Sequence, residues 1–345
     1  MTANTPFEAD IEAQPDALRA LAGAATPSGL RELDPQSFSR IVFTGMGSSH
    51  FVGIPTWRNL TAKGRPAWAI DTGQLLDTPG LLTPDTLLVI TSQSGASGEV
   101  VALLDRLEED PARPRTIVGI TADSNSPLAE TAELFLPLHS GPEATVSTKS
   151  YLNSLVVHAQ LAAALNGRNV SAVNHEADRL AGIVTRLLTS TDTAETAATT
   201  LDGERPRVAA VGWRDDAATA LFAGLITKES SKVAIEGHIG GQFRHGPFEL
   251  AGPGLTVFLY GAHAASDDGS IARLASDLAA TGAHAVLIGD MVLAGTTTIR
   301  ASASTSLEGL VTGSIVAQLI ARDLALENGV VPGAFAYGSK VTTAL

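Results

Sequence analysis

The sequence predicts an α/β protein of two similar parallel-sheet modules. Three observations carry this: short β-branched apolar runs alternate with helical stretches, the pattern resumes after a long helical interval, and both halves open on nearly the same strand and turn. In the first half Ile41–Phe43, Thr86–Ile90, Thr116–Ile120 and Leu134–Leu136 read as buried strands, continuously apolar because both faces of a parallel sheet are covered. From about Asn153 to Ser190 the pattern is helical, and Arg207–Val211, Leu255–Leu259 and Ala285–Ile288 then resume the strands. Ile41-Val42-Phe43-Thr44-Gly45 and Val208-Ala209-Ala210-Val211-Gly212 each run from a strand into a polar turn, the mark of a diverged duplication. The Thr- and Ala-rich segment Thr189–Thr200 includes the connection, although its alanines also suit a helix. The expected organisation is an N-terminal helical segment over 1–30, a first module over 31–190, and a second over 191–345 that ends in a glycine-rich tail.

Bulk composition narrows the function classes. With 345 residues, 44% of them hydrophobic, the chain can bury two cores. It has no cysteine, which excludes a disulfide framework, a thiolate metal site and a thiol nucleophile, and which fits a reducing compartment. The stretch Met1–Ala20 carries acidic residues and Pro15 rather than a basic region and an apolar run, so a cytoplasmic location is expected, and no run of apolar residues approaches membrane-spanning length. Twenty-three Lys and Arg against 36 Asp and Glu give a formal charge of -13, which repels nucleic acid. A small phosphate is another matter, because backbone N–H groups, hydroxyls and a helix N-terminus can hold one locally.

Two turns offer that chemistry. Gly45-Met46-Gly47-Ser48-Ser49-His50 sits where a dinucleotide fingerprint would, but the third glycine is missing and no acidic residue stands at the end of the next strand; its serines point instead to a phosphate monoester. Thr91-Ser92-Gln93-Ser94-Gly95-Ala96-Ser97 crowds four hydroxyls before a helix at Gly98–Leu107. One serine there would ordinarily be a helix cap, whereas the cluster suits a dianion. A third polar turn, Val146-Ser147-Thr148-Lys149-Ser150, precedes another helix and alone would be a capping motif.

These turns resemble the sugar-isomerase (SIS) family, and the resemblance spans essentially the whole chain. Ser92-Gln93-Ser94-Gly95 and Ser147-Thr148-Lys149 are similar to that family's phosphosugar-binding turns, with Ser49 completing the set. More closely, the chain resembles the isomerase half of glucosamine-6-phosphate synthase and the related sugar-phosphate deaminases and deglycases; Glu12-Ala13-Gln14-Pro15, with Leu18, matches their opening helix. The resemblance implies two SIS modules, each a mostly parallel five-stranded sheet flanked by helices in a flavodoxin-like three-layer arrangement. It implies a sugar 6-phosphate substrate, with Ser49, Ser92, Gln93, Ser94 and Ser97 on the phosphate and Gly47, Ser48, Ser147 and Glu236 elsewhere around the sugar. It implies no metal and no cofactor.

Three further residues are catalytic candidates. Glu229 lies on a helical stretch among small and apolar neighbours, where burial would tune a carboxylate toward moving a proton between C1 and C2 of an open-chain sugar; read from the residues alone, a pairing with Lys232 competes. The resemblance places the family's enolising glutamate at Glu229. Gln242-Phe243-Arg244-His245-Gly246-Pro247 sets an imidazole beside a glycine and a proline. It matches a Lys/Arg-His-Gly-Pro loop whose histidine opens the sugar ring and is supplied by the neighbouring subunit, implying an obligate homodimer with His245 across the interface. The tail Gly338-Ser339-Lys340-Val341-Thr342 is similar to a family tail whose lysine forms a Schiff base with a keto sugar or steadies the enolate. Two departures count against carrying over the full synthase reaction. Ile226 stands where the synthase usually has a lysine three residues before the glutamate, and the absence of a glutaminase domain is expected, since that domain needs a cysteine nucleophile and these 345 residues contain no cysteine. The sequence therefore leaves two readings: a cofactor-free phosphosugar isomerase that also deaminates or deglycates, or a regulatory phosphosugar-binding protein of reduced catalytic power.

Overall fold

The computed structural model describes residues 4–343; Met1–Ala3 and Ala344–Leu345, the extreme ends of the first and last expected segments, lie outside the described residues. Ten strands form two five-stranded sheets. The first contains β1 (Arg40–Thr44), β2 (Ala67–Ala69), β3 (Thr86–Thr91), β4 (Thr116–Thr121) and β5 (Leu134–Pro137), in the order β2-β1-β3-β4-β5. The second contains β6 (Arg207–Gly212), β7 (Ile235–Ile239), β8 (Leu255–Ala262), β9 (His284–Gly289) and β10 (Thr297–Arg300), in the order β10-β9-β8-β6-β7. Every neighbouring pair is parallel. Read from its β7 edge, the second sheet repeats the order of the first, so the duplication visible in the opening strands extends to the topology, and the α/β fold of two parallel five-stranded sheets is as expected.

The central strands are the ones that composition reveals. All six residues of β3 are buried, and so are five of six in β4 and β6, which leaves no polar alternation. In the first sheet Leu88, Ile90 and Ile117 pack against Val100, Leu103 and Leu107 of the helix Gly98–Glu109. In the second, Val257, Leu259 and Leu287 pack against Leu274 and Leu278 of the helix Ser270–Ala280. The expected long helical region is two helices, Lys149–Leu165 and Val170–Ser190, because Asn166-Gly167-Arg168-Asn169 interrupts it; the helix Ala194–Leu201 follows. The helix Ser306–Glu327 is long and apolar enough in composition to span a membrane, but 89% of its most apolar window is buried within the protein, as suits a core helix.

Contacts group the chain into two units that are discontinuous in sequence. One holds the first sheet and comprises 14–143, 149–181 and 337–345; the other holds the second sheet and comprises 1–13, 144–148 and 182–336. The C-terminal tail thus belongs with the first sheet.

Candidate functional site

In the first sheet β1 and β3 are neighbours while the chain leaves them toward opposite edges, and such a topological switch point opens a crevice at the carboxyl ends of the strands. Both hydroxyl-rich turns arrive there. A Cβ on Gly45 would stand 2.7 Å from the Thr91 carbonyl oxygen and 2.8 Å from that of Ser49, so the two turns touch through their backbones. Gly95, at φ +63°, comes equally close to the next loop: a Cβ would fall 2.1 Å from Ser126 Oγ. The Gln93 carbonyl accepts from Ala122 N at 3.0 Å and Thr121 Oγ1 at 3.1 Å, which pins the second turn to the end of β4.

Within this frame the serines keep hydrogen-bonding capacity. Ser92 Oγ accepts from Gly95 N and Ser94 Oγ accepts from Ala96 N, each at 3.2 Å, so each hydroxyl still has its proton to donate. Ser97 is the N-cap residue of the twelve-residue helix Gly98–Glu109 yet makes no capping bond with its side chain. Capping, the alternative reading of this turn, therefore does not account for Ser97. Ser48 and Ser49 begin the short helix Ser48–Phe51 with Gly47 at its N-cap, and Ser48, Ser49, Gln93, Ser94 and Ser97 are all half-buried. Backbone donors, a helix N-terminus and several hydroxyls in one crevice can hold a phosphate dianion without a lysine.

The tail joins the same turn, since Gly98 N donates to the Thr342 carbonyl at 3.0 Å. Two residues earlier, Lys340 Nζ meets Glu143 Oε2 at 2.6 Å. The Glu143 side chain is 0% exposed, and it accepts from Ser150 N at 3.0 Å and from Ser150 Oγ at 2.7 Å, at the start of the helix Lys149–Leu165. Burial pushes its carboxyl up, but the Lys340 ammonium and the Ser150 bonds outweigh that and hold it below its ordinary value. Glu143 is the functional candidate that sequence reasoning missed. Gly141-Pro142-Glu143 reads as an ordinary turn, and only its partner 197 residues away marks it out.

The first-sheet unit therefore brings together Gly47, Ser48, Ser49, Ser92, Gln93, Ser94, Ser97 and Lys340. Ser147, half-buried, falls in the segment 144–148 that groups with the second sheet. So do the other candidates. Glu229 is half-buried on the helix Ala217–Ser231, and its carbonyl accepts from Lys232 Nζ. Ile226, on the same helix, is 1% exposed and belongs to the core. Glu236 is exposed on β7, with His238 Nε2 at 3.9 Å from its carboxylate. His245 is exposed, on a loop steadied by Arg244, which pairs with Asp277 at 2.6 Å and lies 5.7 Å over the Phe248 ring.

The second sheet has its own switch point between β6 and β8, with different chemistry. Trp213, Arg214, Asp215 and Asp216 follow β6 in place of the serines. Burial and then the neighbouring Asp215 push the Asp216 carboxyl up to about 7. Among the described residues no group of three or more His, Asp or Glu side chains is placed to hold a metal ion.

Residues 36–164 match the family model of the SIS domain. The glutamine–fructose-6-phosphate aminotransferase (isomerizing) of Aeropyrum pernix is 28% identical over 262 residues, covering 72% of this chain and 41% of that protein. The corresponding enzyme of Arabidopsis thaliana is 28% identical over 226 residues, covering 63% and 33%. The chain thus spans well under half the length of these curated relatives. Among solved structures, the C-terminal domain of the glucosamine-fructose-6-phosphate aminotransferase of Francisella tularensis superposes with a TM-score of 0.84 at 17% identity, covering 96% of this chain and 99% of that one. The tagatose-6-phosphate ketose/aldose isomerase of Escherichia coli gives 0.78 at 22% identity, with 95% and 94% covered. A glucosamine-6-phosphate deaminase of Thermotoga maritima gives 0.77 at 20% identity, with 98% and 99% covered.

Proposed function

From a chain that carries a SIS domain over residues 36–164 and has the fold of phosphosugar isomerases and deaminases, we propose a cofactor-free enzyme that isomerises, and deaminates or deglycates, a 6-phosphorylated amino sugar or ketosamine. The observation that carries this reading is the hydroxyl-lined crevice of the first sheet, with Lys340 tied to its second turn through the Thr342–Gly98 hydrogen bond. Ser49, Ser92, Ser94 and Ser97, with Gln93, take the phosphate. His245, offered by a second copy of the chain, opens the sugar ring. Glu229 carries the proton between C1 and C2, and Lys340 forms an imine with the keto form or steadies the enolate. Ser147 and Glu236 complete the surroundings of the sugar.

A second reading rests on Ile226. Buried in the core, it supplies no proton beside Glu229, and a phosphosugar-binding regulatory protein would need none. One experiment separates the two: glucosamine 6-phosphate, galactosamine 6-phosphate and fructosamine 6-phosphates are offered in turn, with amine release and sugar-phosphate products followed by mass spectrometry and binding followed by thermal shift. The enzyme reading expects turnover of at least one compound. It expects Glu229→Gln to lower kcat about 10²- to 10⁴-fold while phosphosugar binding stays nearly intact. Binding without reaction across the panel would hand the site to the regulatory reading.

A further inference from the structure

The pair made by Lys340 and Glu143 is unlike an ordinary ion pair. The carboxylate is wholly enclosed, the ammonium side chain is 22% exposed, and they meet at 2.6 Å. Glu143 is held by Ser150 N and Oγ, while the nearby Lys149 Nζ is engaged by the Pro142 carbonyl at 2.5 Å. Two enclosed charges are costly to keep once a ligand excludes water, and a neutral acid–amine pair is then favoured relative to the ion pair, which opens proton transfer from Lys340 to Glu143 across their 2.6 Å contact. The Thr342–Gly98 bond keeps this pair in the unit that holds the phosphate turns.

We propose that Glu143 is the base that frees the Lys340 amine for attack on the keto carbon of a bound ketose phosphate. The inference rests on the reading of Lys340 as an imine-forming residue. Glu143 Oε2 takes one proton from the ammonium, and the neutral amine adds to C2, so that an N–C bond forms as the carbonyl π bond breaks. Glu143 returns its proton to the sugar oxygen, the second N–H proton goes to that same oxygen, and water leaves. An iminium with one N–H remains, and Glu143 ends as the carboxylate it began as.

The test is borohydride trapping with fructose 6-phosphate, followed by intact mass and peptide mapping, where a reduced adduct adds the sugar phosphate less one oxygen atom to Lys340. In Glu143→Gln the trapping rate at neutral pH should fall at least about tenfold and climb again as pH rises and hydroxide takes the proton, with phosphosugar affinity held within about threefold. A milder variant, Ser150→Ala, removes one bond to the carboxylate and should move the acid limb of the trapping profile to higher pH. Trapping as fast in Glu143→Gln as in the unaltered protein, or an acid limb unmoved in Ser150→Ala, overturns the proposal alone. So does uniform loss of trapping at every pH together with loss of affinity, the outcome of a merely structural role. If the unaltered protein binds fructose 6-phosphate and never traps, the imine reading of Lys340 falls and this inference falls with it.

Discussion

At Thr91, the last residue of β3 before the phosphate turn, Oγ1 meets His158 Nε2 at 2.9 Å, with both side chains buried. Burial drives the His158 imidazole down to about 3, so it is neutral in the folded protein and charges readily once unfolded. The folded state therefore binds fewer protons between about pH 3 and the ordinary histidine value of 6.5, and the stability it contributes is complete above 6.5 and lost as pH falls through that window. Asp216 runs the opposite way, because its raised value makes the folded state the better proton binder up to about pH 7. Urea titrations of the unaltered protein mix the two effects, so the readout is the difference from His158→Gln, which cannot titrate. That difference should shift in favour of the variant by roughly 3 kcal/mol between pH 7 and pH 4, and a pH-independent difference would remove His158 from the acid sensitivity. Neither His158 nor Glu143 stands out in the sequence. Each acquires its character from burial by residues far along the chain, whereas Ser92, Ser94 and Lys340 declare themselves through short local motifs.

The same division between local and distant causes holds for the strands. Those legible in the sequence lie mostly in sheet interiors, where two covered faces demand continuous apolar runs. The three that were not, β2, β7 and β10, are all edge strands with one neighbour and a mixed burial pattern, and Ala67-Trp68-Ala69 or Thr297–Arg300 carries too little periodicity to read. Duplicated topology does not imply duplicated binding. The turn after β6 has Asp215 and Asp216 where the first sheet has Ser48 and Ser49, so it meets a phosphate dianion with acidic groups in place of serine hydroxyls, and negative charge there repels the dianion at short range. Phosphosugar titrated calorimetrically should accordingly saturate at one equivalent per chain. Replacing Ser92 and Ser94 together with alanine should weaken that one site about a hundredfold or more, at 1.5–3 kcal/mol for each hydrogen bond to a charged group. The unphosphorylated sugar should be unaffected by the replacement; equal losses for both ligands would take the phosphate away from this turn.

For the molecule as a whole, the location of His245 matters most. It is exposed on its loop, and Ile239 at 49% and Leu250 at 50% exposure lie on either side of it in sequence, apolar side chains that cover suits better than water. A symmetric dimer would cover such a surface twice and could deliver each histidine to the site of its partner. The arithmetic of a two-fold assembly gives this a sharp consequence. Glu229→Gln and His245→Ala homodimers would each lack one group at both sites. In a heterodimer one site would lack both groups, while the other would have Glu229 from one chain and His245 from its partner and so be intact. Random pairing at equal amounts makes half the dimers mixed, so co-expression of the two inactive variants should restore about a quarter of the unaltered activity. If His245 instead serves its own chain, every site in the mixture carries one lesion and nothing returns. Light scattering on the same samples fixes which case applies, since failure of complementation in a confirmed dimer would place His245 within its own subunit.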